Sequence, residues 1–219
     1  MRRAALPPSD LVGGRRPSTP SAIAFDYGGV LSLPPFDALI ALEAELGLDT
    51  GVLVEPFRTG DAFAEAELGQ TTVAECFATW RAAFEEQWGI RLRSRQLFGA
   101  LGSAGEPNAT VIDLVSGLAG RYRLAVLTNN IAEMRDRWQS LVPIELFETV
   151  IDSSEVGVRK PDPAVYQLLL DRLELEPHEV AFVDDTMPNV EAARKIGMLG
   201  IHFTSSQQLT EDLRRLGIE

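Results

Sequence analysis

Apolar and polar positions follow two rhythms along this chain, and the change of rhythm divides it. Ser21–Asp26 (SAIAFD) is a short apolar run that ends at an acid and then at Tyr27-Gly28-Gly29, the pattern of a buried strand entering a tight loop. From Phe36 to about Gly105 the spacing is helical. Phe36, Leu39, Ile40, Ala41 and Leu46 recur at helical intervals before Gly47, and Val73, Phe77, Trp80, Phe84 and Trp88 do so before Gly89, which predicts an amphipathic helix. No strand pattern interrupts this stretch. After Pro107 the two rhythms alternate: helix over 111–118, strand over 123–127, helix over 131–140 and strand over 149–151. A Gly/Pro-rich loop over 157–163 follows, then helix 164–173, strand 180–183, helix 190–196, strand 201–203 and helix 207–216. Strands that alternate with helices pair in parallel and are covered on both faces. The expected fold class is therefore α/β, a Rossmann-like parallel sheet flanked by helices. The helical stretch breaks the alternation after the first strand and reads as an inserted α-helical cap over 36–105, with the core formed by 21–35 and 106–219.

The first 20 residues fit neither rhythm. They carry four Pro, two Gly and four Arg, and read as a disordered extension. Pro7-Pro8 ends the run after Arg2-Arg3 before the apolar region of a signal peptide is reached. No apolar run approaches the ~20 residues of a membrane span. The net charge of -12 disfavours nucleic acid and anionic membranes as partners, because both select basic surfaces. One cysteine, Cys76, gives no internal disulfide, and no Cys/His cluster has zinc spacing. A cytoplasmic location and a small-molecule partner are the expectations; oligomeric state is not legible. Of the 20 basic residues only Lys160 and Lys195 are lysine.

Ligands of open parallel sheets bind beyond the carboxyl ends of the strands. Asp26, Thr128-Asn129 and Asp184-Asp185 all terminate predicted strands, and Lys160 lies in the loop after another. Three carboxylates on one edge repel unless a cation lies among them. An oxygen-only donor set without His or Cys points to a hard ion such as Mg²⁺. Such an ion together with Lys160, a compact point charge, would hold an anion, most simply a phosphate.

These residues resemble the haloacid dehalogenase (HAD) superfamily, in its subfamily with a helical C1 cap after the first motif. The likeness spans about 21–205. It rests on four ordered motifs: AIAFDYGGVL around Asp26, LAVLTN ending at Thr128-Asn129, RKPDP around Lys160, and FVDD ending at Asp184-Asp185, with Asn189 after it. The resemblance implies a two-step phosphoryl transfer through an aspartyl-phosphate on Asp26. It implies Mg²⁺ held by Asp26, the Gly28 carbonyl and Asp185, with Asp184 and Asn189 as outer or auxiliary ligands. Thr128 would donate to the phosphoryl oxygens, Asn129 would shape its loop, and Lys160 would neutralise charge. The cap would exclude water and select the leaving group.

One departure stands out. Phosphatases of this family usually carry Asp two positions after the nucleophile, where it protonates the leaving oxygen and activates water; here that position is Gly28. Losing a general acid/base costs about 10²–10⁴-fold. No other side chain nominates itself from the sequence. The departure leaves open a low-activity or regulatory domain. A 2-haloacid dehalogenase also lacks the second Asp, but its fourth motif has no acidic pair. Phosphonatase chemistry requires a cap lysine, and 36–105 contains none. Arg58 is a candidate substrate contact; His178 and Lys195 are expected at the surface, His202 in a structural role, and Cys76 and the aromatics of 73–88 in the cap core.

Overall fold

Five short strands carry the apolar runs, and the computed structural model, which describes residues 19–34, 36–93, 95–97 and 105–218, assembles them into one sheet. They are β1 (Ala22–Phe25), β2 (Arg123–Thr128), β3 (Thr149–Asp152), β4 (Val180–Asp184) and β5 (Leu199–His202). All neighbours are parallel and the order is β3-β2-β1-β4-β5. β1 and β4 are buried along their whole length, which explains why their sequences lack alternation. The chain builds outward from β1 to β2 and β3, then returns to β1's other side with β4. The carboxyl ends of β1 and β4 therefore flank the switch point where crevices form in such sheets.

The described helices are α1 (Asp37–Leu46), α2 (Glu55–Thr59), α3 (Asp61–Glu67), α4 (Val73–Trp88), α5 (Ala109–Leu118), α6 (Arg135–Gln139), α7 (Ser153–Val156), α8 (Pro163–Leu173), α9 (Met187–Lys195) and α10 (Ser206–Arg215). On one face of the sheet Val111 and Val115 of α5 and Leu209 and Leu213 of α10 pack against Ile23, Phe25 and Val183. On the other, Val165 and Leu169 of α8 and Ala193 of α9 pack against Ala24, Leu127 and Phe182. No helix among the described residues is long and apolar enough to cross a membrane.

Helices α1–α4 have their own apolar cluster, which includes Leu39, Leu53, Phe63, Phe77, Trp80 and Phe84. The buried Glu43 carboxylate ties the 51–54 turn to α1 by accepting the backbone N–H of Gly51 at 2.8 Å and Leu53 at 2.6 Å. Thr72 and Glu75 form a capping box that starts α4. The chain leaves and re-enters the sheet layer side by side: Leu33 N–H donates to Glu106 O at 2.7 Å, and Asn108 N–H to Leu31 O at 2.9 Å.

Several local expectations needed correction. The 47–72 stretch is not continuously helical, because Gly60 is extended (φ -76, ψ 135) and separates α2 from α3. The helix expected over 131–140 is a 3₁₀ turn, Ala132–Met134, followed by α6, because Ile131 is extended. β5 begins at Leu199, two residues early. The short helix α7 had no apolar signature; it forms because the Asp152 side chain caps it by accepting Ser154 N–H at 3.1 Å. The extension expected over 1–20 lies outside the described residues up to 18.

Candidate active site at the carboxyl edge of the sheet

Asp26 is the first residue past β1. Its N–H donates to Val183 O at 2.8 Å, which extends the β1–β4 ladder by one residue and leaves the side chain at the switch point. The chain then makes a turn over Tyr27–Leu31, closed where Ser32 N–H donates to Tyr27 O. Tyr27 N–H donates to Asp26 Oδ1 at 2.7 Å, and Lys160 Nζ lies 2.8 Å from that same oxygen. Among the described residues Oδ2 accepts no hydrogen bond.

Lys160 is wedged between two strand ends. Besides Asp26, its Nζ lies 2.7 Å from Asp184 Oδ2, and its side chain is 1% exposed. The peptide on either side of it is held by Asn129, whose Oδ1 accepts Lys160 N–H at 2.8 Å and whose Nδ2 donates to Lys160 O at 3.0 Å. Asp184 is fully buried and accepts from Thr186 N–H at 2.8 Å and from Asn189 Nδ2 at 3.1 Å to each oxygen. Asn189 is itself anchored by Tyr166, whose hydroxyl donates to its carbonyl at 2.9 Å. Asp185 completes the group. A Cβ on Gly29 would lie 2.5 Å from its Oδ2, so only glycine, already at φ +78, lets the turn pass this close.

One carboxylate oxygen from each of Asp26, Asp184 and Asp185 lies within 4.8 Å of the others. The charges are unbalanced: three acids face one lysine. Burial pushes Asp26 up to about 8, against the pull of Lys160 and with repulsion from Asp184 and Asp185. Burial and Asp184 also raise Asp185. Lys160 is desolvated, but Asp184 and Asp26 outweigh that and hold it above its ordinary value as a cation. The donor chemistry fits a hard divalent cation: oxygen only, net negative, with Asp26 and Asp185 turned to the cavity while Asp184 is engaged by Lys160 and Asn189.

A cavity of about 700 Å³ opens over this edge. Asp26, Gly28, Asn129, Lys160, Asp185 and Asn189 line it. Arg58 lines it too, stacked at 5.4 Å over the Phe36 ring. Thr128 is 1% exposed, its hydroxyl is 3.4 Å from Asn129 O, and it is not among the described residues lining the cavity. His202 holds the backbone, with Nε2 3.0 Å from Asp185 O. His178 and Lys195 are exposed and Cys76 is buried, as expected. Trp80 and Phe84 are buried, but Trp88 is 41% exposed.

Sequence reading missed two acids. Asp152, fully buried, accepts from Asn130 Nδ2 at 2.9 Å and Trp138 Nε1 at 3.3 Å and so pins the loop after β2. Its position at a strand end was the available signal. Glu67, the last residue of α3, reaches the cavity from the helical unit and pairs with Arg159 Nε at 2.8 Å. It carries no motif. It can approach because Gly69, at φ +69, lets the following turn close on α7, where a Cβ would lie 2.6 Å from Ser154 O.

The parallel sheet, switch-point crevice and acidic edge define an α/β protein with a ligand site at its carboxyl edge, and comparison with known proteins names its family. The family model for haloacid dehalogenase-like hydrolases matches residues 20–197. The chain belongs to that family. It is 30% identical over 216 residues to bifunctional epoxide hydrolase 2 of Sus scrofa, covering 89% of this chain but only 38% of that protein. It is 28% identical over 210 residues to a sesquiterpene phosphatase of Aspergillus oryzae, covering 91% of this chain and 97% of the phosphatase. In fold it resembles a HAD family enzyme from Bacteroides thetaiotaomicron solved in complex with magnesium and inorganic phosphate, with TM-score 0.60, 23% identity, and coverage of 81% of this chain and 91% of that one.

Proposed function

We propose that this hydrolase is a Mg²⁺-dependent phosphomonoesterase that acts on a small phosphorylated metabolite through an aspartyl-phosphate on Asp26. The observation that carries this reading is the triad of carboxylates within 4.8 Å of one another with Lys160 wedged 2.7–2.8 Å from two of them. Asp26, Asp185 and the Gly28 carbonyl would hold the ion, with Asp184 and Asn189 supporting them. The ion would supply charge neutralisation for the phosphoryl oxygens and for Asp26. Asp26 Oδ2 is aligned to attack because Oδ1 is anchored by Tyr27 N–H and Lys160. Lys160 stabilises the negative charge that gathers on the phosphoryl group, from a dry position where its field is weakly screened. Asn129 keeps Lys160 in place through its backbone. We assign Thr128 to loop support and not to phosphate contact, because of its burial. The helical unit acts as the cap, and Arg58 faces the incoming anion. The sesquiterpene phosphatase relative supports a phosphatase activity.

A haloacid dehalogenase reading fits less well, because Asp184 and Asp185 would face a carboxylate substrate. Gly28 is the one observation that favours a low-turnover domain. Phosphate release from p-nitrophenyl phosphate and from sugar, nucleotide, amino-acid and acyl phosphates, with Mg²⁺ and with excess EDTA, tests the proposal. Mg²⁺-dependent release is the expected result. Release from none of them, or haloacid turnover in EDTA, overturns it.

A further inference from the structure

The cavity over Asp26 has a neighbour. A second chamber of about 460 Å³ is walled by Phe63, Phe77, Met134 and Trp138, among others. The two share Gly28, Phe36, Phe57, Glu67 and Asn129 in their linings, so they meet there. A Cβ on Gly28 would touch nothing within 4 Å, so the missing side chain leaves the junction open. Of the five shared residues Glu67 alone has a titratable side chain, and Arg137 is the only other charged residue among those described lining the chamber.

We propose that the substrate's leaving group is an apolar alcohol lodged in this chamber, with its ester oxygen at the junction, and that Glu67 exchanges the proton that position 28 cannot. This deepens the phosphomonoesterase reading and rests on it. Phosphorus lies over Asp26 and the apolar chamber takes the carbon chain, so the bond that breaks falls between the two spaces. Asp26 Oδ2 forms a bond to phosphorus as the phosphorus–ester oxygen bond breaks. That bond's electron pair goes to the ester oxygen, which takes the Glu67 proton and leaves as the alcohol. Water then attacks the phosphorus and gives a proton back to Glu67. The phosphorus–Asp26 bond breaks, and inorganic phosphate leaves.

The surroundings suit a carboxyl that cycles. Glu67's side chain is 16% exposed, and burial pushes it up to about 7 despite the pull of Arg159 and Lys160. Arg159 Nε is 2.8 Å from Glu67 Oε2, but neither atom makes an aligned hydrogen bond, so the guanidinium favours the ionised form by charge alone, against burial.

The test compares octyl phosphate, whose alkoxide must be protonated, with p-nitrophenyl phosphate, whose phenolate leaves unaided, in the 219-residue chain with Mg²⁺. Glu67→Gln is expected to lower kcat/KM for octyl phosphate by about 10²–10⁴-fold and for p-nitrophenyl phosphate by less than about tenfold. Met134→Arg, which fills the chamber from a position that is 36% exposed, is expected to lower the octyl phosphate rate far more than the ethyl phosphate rate. Equal losses on both substrates in Glu67→Gln overturn the proton role, as does an unaffected octyl rate. Wild-type preference for ethyl over octyl phosphate, or an octyl rate unmoved by Met134→Arg, overturns the apolar leaving group. If Glu67→Gln does not fold, the wild-type chain-length series and Met134→Arg still decide that part, and Glu67→Asp takes Gln's place for the proton role. Inactivity of the wild type on these esters and on the whole phosphate panel instead overturns the phosphatase reading beneath both.

Discussion

The carboxyl edge of the sheet and the helical unit of α1–α4 are held together by opposite means. At the edge, buried charges are fastened to strand ends: Lys160 to Asp26 and Asp184, and Asp184 to Thr186 and Asn189. In the helical unit, aromatic rings pack on one another, with Phe57 stacked 4.1 Å from Phe63 and Trp80 edge-on to Phe77 at 6.0 Å. A buried ionic set tolerates one arrangement, because removing a partner strands a charge in a dry place. An apolar cluster tolerates exchange of shape at constant volume. On the proposed function, the chemistry falls where geometry is least negotiable, and the choice of leaving group where it is most negotiable.

The largest expected effect is at the edge. Asp26→Asn should reduce turnover to background, a loss on the order of 10⁶-fold as for other nucleophile deletions, measured as phosphate release. Full activity in that variant would falsify the mechanism. Next is Lys160→Ala, which leaves two buried carboxylates unpaired and should cost about 3–5 kcal/mol in denaturant unfolding as well as activity. Lys195→Ala, at an exposed position, should stay within about 0.5 kcal/mol of the parent. Equal effects would erase the contrast between edge and surface.

Smaller effects sharpen the boundary between the regions. Placing Gly28→Asp on top of Glu67→Gln should recover octyl phosphate turnover, because position 28 has open space and faces the same junction. With Asp26 held ionised by bound Mg²⁺, the pH profile of kcat/KM for octyl phosphate should fall as pH rises through about 7, because the leaving oxygen needs the protonated form of Glu67. Arg159 and Lys160 face that carboxyl and favour ionisation, while burial opposes them and Cys76 lies nearby. Glu67→Gln should flatten that limb. The smallest effect is Thr72→Ala, which removes the α4 cap and should cost about 1 kcal/mol in thermal unfolding with kcat unchanged.

Much of the edge was legible in the chain because its residues are tied to local patterns. An apolar run too short for a helix and bounded by an acid marks a strand end, and parallel strands place their ends together. That reasoning located Asp26, Asp184, Asp185 and Lys160 without coordinates. The parallel sheet followed from the alternation of apolar rhythms after Pro107. The strand order, and with it the placing of Asp26 and Asp184 on either side of the switch point, came only from the fold. So did the burial that sets Thr128 away from the cavity and lifts Asp26 to about 8. Glu67 was invisible for a physical reason: its sequence neighbours are those of an ordinary amphipathic helix. Its chemistry comes from burial in the folded protein, which raises it, set against the charges of residues about 90 positions away, Arg159 and Lys160, which pull it back. Local periodicity determines which residues stand at a strand end, because strand and helix geometry repeat over a few residues. Which acids become dry, paired or left facing a substrate depends on contacts between distant segments, and only the tertiary structure decides those.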